Sequence, residues 1–231
     1  MGSATTPRND RRLIAYAGPM LLFVGSLGLV RLFGLGGSEA FWLRHPEFWI
    51  YPVQTLACAG MLIWFRREYE FHRLRQIAFV IAVGVIVFVL WIAPQMFFGR
   101  AARIDGFNPD LLAANPGVYW LTLLMRFLRL VVVVPLVEEI FWRGLLLRYF
   151  IDERFERVPF GAFSWLSFGV VTVGFTFSHL SADWIAAFIT GALYNAVAYR
   201  TKSLTSCVLV HAITNLLLGL WIIQTKQWGF W

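Results

Sequence analysis

The chain has 231 residues, of which 59% are hydrophobic and only 14% charged, against about 25% charged in a soluble domain. That balance excludes an ordinary soluble protein, and no polar stretch is long enough to fold apart from the apolar runs. The formal net charge of +7 does not point to nucleic acid, because most basic residues sit in short loops beside apolar runs, where they act as topology signals.

Runs of roughly 18–22 mainly apolar residues can cross a bilayer as helices. They fall near 13–33, 48–65, 76–98, 118–137, 161–179, 183–199 and 204–223. A shorter apolar piece, Ile140 to Ile151, either continues the fourth helix or forms an eighth element. The expected fold class is all-α, a polytopic transmembrane helix bundle of seven to eight helices. The connections carry breakers such as Gly34, Gly36, Gly37 and Pro46, then Asp105, Gly106, Asn108, Pro109 and Pro116. The first apolar run is long enough to span and lacks a small-x-small end, so it reads as a retained helix and not a cleaved signal. Cys58 and Cys207 both fall within apolar segments and are expected as free buried thiols.

Charge then orients the bundle. Arg8, Arg11 and Arg12 precede the first span; Arg66, Arg67, Arg73 and Arg75 follow the second; Arg148, Arg154 and Arg157 follow the fourth; Arg200 and Lys202 follow the sixth. The other side has Arg31, Arg44, Arg100, Arg103 and Lys226. Twelve against five gives a cytoplasmic N-terminus and an external C-terminus.

Few polar groups survive inside the spans. Glu138 and Glu139 adjoin in Val137-Glu138-Glu139-Ile140-Phe141-Trp142-Arg143-Gly144, directly after Leu130 to Leu136. A carboxylate at mid-bilayer costs on the order of 2.5–3.5 kcal/mol on insertion scales, so the pair must be neutralised or functional. Glu139 and Arg143 are four apart and share a face. Glu138 points about 100° away and is free to look into a cavity. Phe175 with His179, and His211 with Asn215, repeat the four-residue spacing.

Each feature alone has a structural reading: an ion pair that locks helices, or a histidine or amide (Asn195, Asn215) that bonds a neighbouring helix. Arg126 and Arg129 read as partners of an acid or of a lipid headgroup. Taken together, a carboxylate, two imidazoles and an amide supply a base to activate water and donors for an oxyanion, as amide hydrolysis requires. A transporter or proton relay would also place Glu and His in the bilayer, but no internal repeat is visible. A non-catalytic scaffold is the third class.

The ordered set Glu-Glu-x-x-x-Arg (Glu138, Glu139, Arg143), Phe-x-x-x-His (Phe175, His179) and His-x-x-x-Asn (His211, Asn215) resembles the CPBP intramembrane proteases. That family includes the CAAX prenyl endopeptidases and bacterial relatives linked to bacteriocin self-immunity. Tyr51-Pro52 and the ending Gln227-Trp228-Gly229-Phe230-Trp231 resemble the subgroup found with exosortase sorting systems.

The resemblance implies that Glu138, with His179, activates water, that His211 and Asn215 stabilise the oxyanion, and that Glu139 and Arg143 hold the Glu138 segment. It divides the chain into N-terminal transmembrane helices (1–117), a catalytic bundle (118–223) and a C-terminal tail (224–231). It implies an endopeptidase in a bacterial inner membrane, acting among lipids on a membrane-associated protein or peptide. Such chemistry needs either no cofactor or zinc on Glu138, His179 and His211. No His-Glu-x-x-His signature is present, and Asn215 beside His211 suits a hydrogen-bond donor better than a zinc site, which favours metal-free chemistry. One conflict remains at this level. In alternating spans Glu138 lies near the cytoplasmic end and His179 near the external end, unless the fourth helix runs on to Phe150 or breaks at Pro135 or Gly174.

Overall fold

The computed structural model describes residues 10–34 and 40–231; Arg8, Gly36 and Gly37 lie outside the described residues. Among the described residues, seven helices account for the apolar runs: α1 (Asp10–Gly34), α2 (Glu47–Trp64), α3 (Ile77–Phe97), α4 (Pro116–Tyr149), the shorter α5 (Trp165–Phe177), α6 (Trp184–Thr201) and α7 (Leu204–Thr225). A one-turn helix, Phe41–Arg44, precedes α2 and brings the helices to eight. No strand occurs among the described residues. Helices α1, α3, α4 and α7 are each long and apolar enough to cross a membrane. Large apolar side chains face outward all around, for example Leu21, Leu56, Trp120, Leu166 and Ile185. In water this would be an aggregation surface; in a bilayer it is the lipid-facing belt.

The main departure from the expected spans is α4. It does not stop at residue 137 but continues through the acid pair to Tyr149, so Ile140 to Ile151 begins as the end of the same helix and is not a separate element. Two stretches of it, Leu128–Val133 and Ile140–Leu146, are π-helical and flank a short α segment, Val134–Glu139. Pro135 accounts for part of this, since it has no N–H to give to the preceding turn. In a π ladder the carbonyl of Leu130 would look to residue 135, which cannot donate. Asn215 Nδ2 donates to that carbonyl instead, at 2.9 Å.

Long-range polar contacts fix the two ends of the bundle. At one end, the loop 65–76 meets the starts of α1 and α7 and the ends of α4 and α6. Glu70 accepts from Arg12 at 3.1 Å and from Arg148 at 3.0 Å; Arg75 N–H donates to Ser206 at 3.1 Å, and Arg200 donates to Gln76 at 2.8 Å. At the other end, the loop 98–115 meets the α5–α6 turn and the tail. Arg103 forms a bidentate pair with Asp183 at 2.6 and 3.1 Å. Gly229 N–H donates to the Arg103 carbonyl at 2.8 Å, and a Cβ on Gly106 would lie 2.3 Å from the Trp228 carbonyl oxygen.

The helices between these ends are closely packed. Gly84 lets α3 approach α7, where a Cβ would lie 2.8 Å from Ile213, a usual role for small residues between membrane helices. Cys58 and Cys207 are free and buried, as expected.

Candidate active site

Helix lengths settle how the acid and the histidines reach one level. Glu138 stands eleven residues before the end of α4, which is about 16 Å along a helix. α5 is only 13 residues long, so His179, just beyond it, lies about 21 Å from its start. His211 and Asn215 follow the start of α7 by seven and eleven residues, or about 10 and 16 Å. All four therefore lie in the middle of the bundle. The continuation of α4 beyond Glu138 removes the conflict of depth that the shorter fourth span created.

Glu138, His179, His211 and Asn215 line one cavity of about 540 Å³, with Tyr194 and Trp91 among its walls. Glu138 is half-buried and makes no hydrogen bond or ion pair among the described residues, and its Oε2 is buried without a partner. Glu139 behaves differently. It is fully buried and does not face the cavity; its Oε1 accepts from Arg143 Nη1 at 3.0 Å and from His211 Nδ1 at 2.9 Å.

The histidine orientations follow from their partners. His179 Nδ1 lies 2.8 Å from the Phe175 carbonyl, which can only accept, so Nδ1 carries the hydrogen and Nε2 is the free nitrogen. The His179 ring packs on Phe175 (centroids 4.7 Å) and Trp91 (5.5 Å). By the same reasoning His211 donates from Nδ1 to Glu139 and turns Nε2 away from that bond. Tyr194 packs on its ring at 5.3 Å, and the Tyr194 hydroxyl donates to Thr214 at 2.8 Å. Asn215 Nδ2 carries two hydrogens and gives one to Leu130, which leaves the second unassigned.

The support beneath these groups was only partly legible beforehand. The Glu139–Arg143 pair follows from spacing. Asn195 does more than join two helices: its Oδ1 accepts from Arg143 Nε at 3.0 Å while its Nδ2 donates to Thr172 at 3.1 Å. The Gly191 carbonyl accepts from Arg143 Nη2 at 3.3 Å. Every nitrogen of that buried guanidinium is thus directed by α4 or α6. An isolated Asn in an apolar run carries no sign of such a partner.

Arg126 and Arg129 depart from expectation. Neither pairs with an acid among the described residues. Arg129 donates to Gln54 at 2.9 Å and lies over Tyr51 (4.5 Å) and Phe23 (4.9 Å). Arg126 lies over Phe107 (4.7 Å), Tyr51 and Trp231 (both 5.1 Å). Ring quadrupoles take the place of a counter-ion, which works best where water is excluded.

Among the described residues, no group of three or more His, Cys, Asp and Glu side chains is gathered closely enough to hold a metal ion. Glu138, His179 and His211 all line the cavity.

Residues 120–217 match the family described as type II CAAX prenyl endopeptidase Rce1-like, a match that carries no subgroup. No curated protein and no solved structure matches the chain. The matched stretch starts early in α4 and ends in α7, so it contains every residue of the polar cluster from Glu138 to Asn215. Over this segment, somewhat under half of the chain, the protein is similar to the Rce1-like family of type II CAAX prenyl endopeptidases.

Proposed function

We propose that the protein is an intramembrane endopeptidase that hydrolyses a peptide bond of a membrane-associated protein within the α4–α5–α7 cavity. The observation that carries this reading is the convergence of Glu138, His179, His211 and Asn215, from three separate helical segments, on one cavity inside a membrane bundle. The match of residues 120–217 to a protease family supports it.

In this mechanism Glu138 is the general base. Its carboxylate has no partner among the described residues to give up before it accepts a proton from water. His179, fixed through Nδ1, offers Nε2 as a second acceptor to orient that water. Attack of the hydroxide on the carbonyl carbon forms a C–O bond and places negative charge on the carbonyl oxygen. The second Asn215 N–H and His211 Nε2–H face that charge. His211 donates from both nitrogens as imidazolium, one to the oxyanion and one to Glu139. Collapse of the intermediate breaks the C–N bond, and the proton held by Glu138 passes to the leaving amine.

These steps are assigned to the side chains alone, without a metal. The setting is a lipid bilayer, which we assign to the bacterial inner membrane. The substrate is a membrane-associated protein or peptide, and the role is protein processing or sorting.

The test compares new protein N-termini in native membranes carrying the wild-type chain or Glu138→Gln at matched levels. Loss of particular products in the variant supports proteolysis and identifies the substrate. Identical profiles from two folded proteins refute it.

A further inference from the structure

The cavity has a direction, because its lining comes from one end of the bundle only. Beyond the mid-depth groups its walls are Arg103 of the loop 98–115, Ser178, Leu180 and Asp183 of the α5–α6 turn, and the tail residues 229–231. No residue of the loops 65–76 and 150–164, or of the turn 202–203, lines it.

The α5–α6 turn explains the opening. α5 spans about 20 Å, less than the roughly 30 Å hydrocarbon thickness, so the turn that carries His179 is recessed below the surface. Leu180 is 59% exposed there. The floor on the opposite side is closed by Glu139, Arg143 and Asn195, all fully buried.

The two ends also differ sharply in charge. The closed end carries eleven Lys and Arg among the described residues: Arg11 and Arg12, then Arg66, Arg67, Arg73 and Arg75, then Arg148, Arg154 and Arg157, and Arg200 with Lys202. The open end carries five: Arg31, Arg44, Arg100, Arg103 and Lys226. Acids pair with bases at both ends, Glu68 and Glu70 at the closed one and Asp183 and Asp110 at the open one, so it is the number of basic residues that distinguishes the ends. All these connections are short, which is the range in which basic residues are retained in the cytoplasm.

We infer that the cavity opens to the non-cytoplasmic face of the membrane, and that the peptide it takes is the non-cytoplasmic juxtamembrane segment of a membrane-anchored protein. A cytoplasmic tail would have to pass the closed floor beneath Glu138. This substrate class rests on the reading of the cavity as the site of peptide hydrolysis; the direction of the opening does not.

The experiment uses the full chain in intact bacterial cells and a membrane-impermeant maleimide. Leu180→Cys reports the mouth and exposed Arg154→Cys the opposite end; the parent, with buried Cys58 and Cys207, sets the background. Leu180→Cys is expected to label in intact cells, and Arg154→Cys only after permeabilisation. The reverse pattern overturns the inference. If Leu180→Cys resists labelling on both sides, Ser181→Cys in the same exposed turn replaces it as the reporter.

Glu138-dependent products are mapped in parallel. Cuts in non-cytoplasmic segments support the substrate class, and cuts in cytoplasmic segments overturn it. Inside labelling of the mouth with products still lost in Glu138→Gln refutes the direction and leaves proteolysis standing. Outside labelling with no such products refutes proteolysis, and the substrate class with it, but not the direction.

Discussion

Glu139 and His211, seventy-two positions apart, meet at 2.9 Å with the carboxylate fully buried and the imidazole nearly so. The same carboxylate oxygen holds Arg143 at 3.0 Å. One acid therefore anchors a histidine of α7 to α4 and neutralises a guanidinium that reaches α6. The adjacent Glu138 has neither bond and faces the cavity. Two neighbouring carboxylates are sorted by the helix period into a fixed anchor and an unengaged acid facing the cavity.

Removing half of the anchor should harm the fold more than removing both halves. Glu139→Gln leaves the Arg143 charge buried and unneutralised, a loss of about 3–5 kcal/mol when one partner of a buried pair is deleted. Adding Arg143→Met should recover part of that loss, because the cation is gone too, so the double variant should be less destabilised than the two single effects summed. Thermal unfolding in detergent of the two single variants and the double variant measures this. Simple additivity would show that the pair is not coupled.

Glu138→Gln should leave the unfolding temperature near that of the wild type, since Glu138 has no partner among the described residues to lose. Turnover should fall by about 10²–10⁴, the usual contribution of a general base. The pairing of unchanged stability with lost turnover separates Glu138 from Glu139.

Asn215→Ala removes the donor that serves the Leu130 carbonyl beside Pro135. A buried acceptor left unsatisfied costs about 1–3 kcal/mol. The same change removes the proposed oxyanion donor, which is expected to lower kcat by about 10²–10³ with little effect on KM. A rise in KM at constant kcat would instead assign Asn215 to substrate binding.

Gly84→Val places methyl groups against Ile213 and the Val210 carbonyl, where a Cβ alone would already lie 2.8 and 3.2 Å away. The expected cost is about 1–3 kcal/mol of overpacking. Because α7 carries His211 and Asn215, turnover should fall as well, although Gly84 is not among the residues that line the cavity. Gly60→Ala, where a Cβ meets nothing within 4 Å, is the control and should be silent.

Peptidase activity should persist after incubation with a strong zinc chelator and dialysis. Loss on chelation with recovery on adding zinc would overturn the assignment of water activation to Glu138 and His179 alone.

Much of this protein is determined by consecutive residues. The seven apolar runs, the Glu139–Arg143 pair and the shared faces of Phe175 with His179 and His211 with Asn215 all follow from the helix period, which needs no knowledge of neighbouring helices. The three short motifs, in their order, were enough to indicate the family.

Other features depend on which helices dock against one another. Hydropathy left open whether α4 continues past residue 137, because the acids and Arg143 interrupt the apolar run where their burial makes the helix continuous. The aromatic cages around Arg126 and Arg129 draw on rings from α1, α2, the loop 98–115 and the tail, and nothing near either arginine in the chain announces them. The bond from His211 to Glu139, the Asn195 clasp on Arg143 and the one-sided lining of the cavity are likewise products of docking. A buried polar group takes the partner that packing brings within reach, and desolvation penalises leaving it without one.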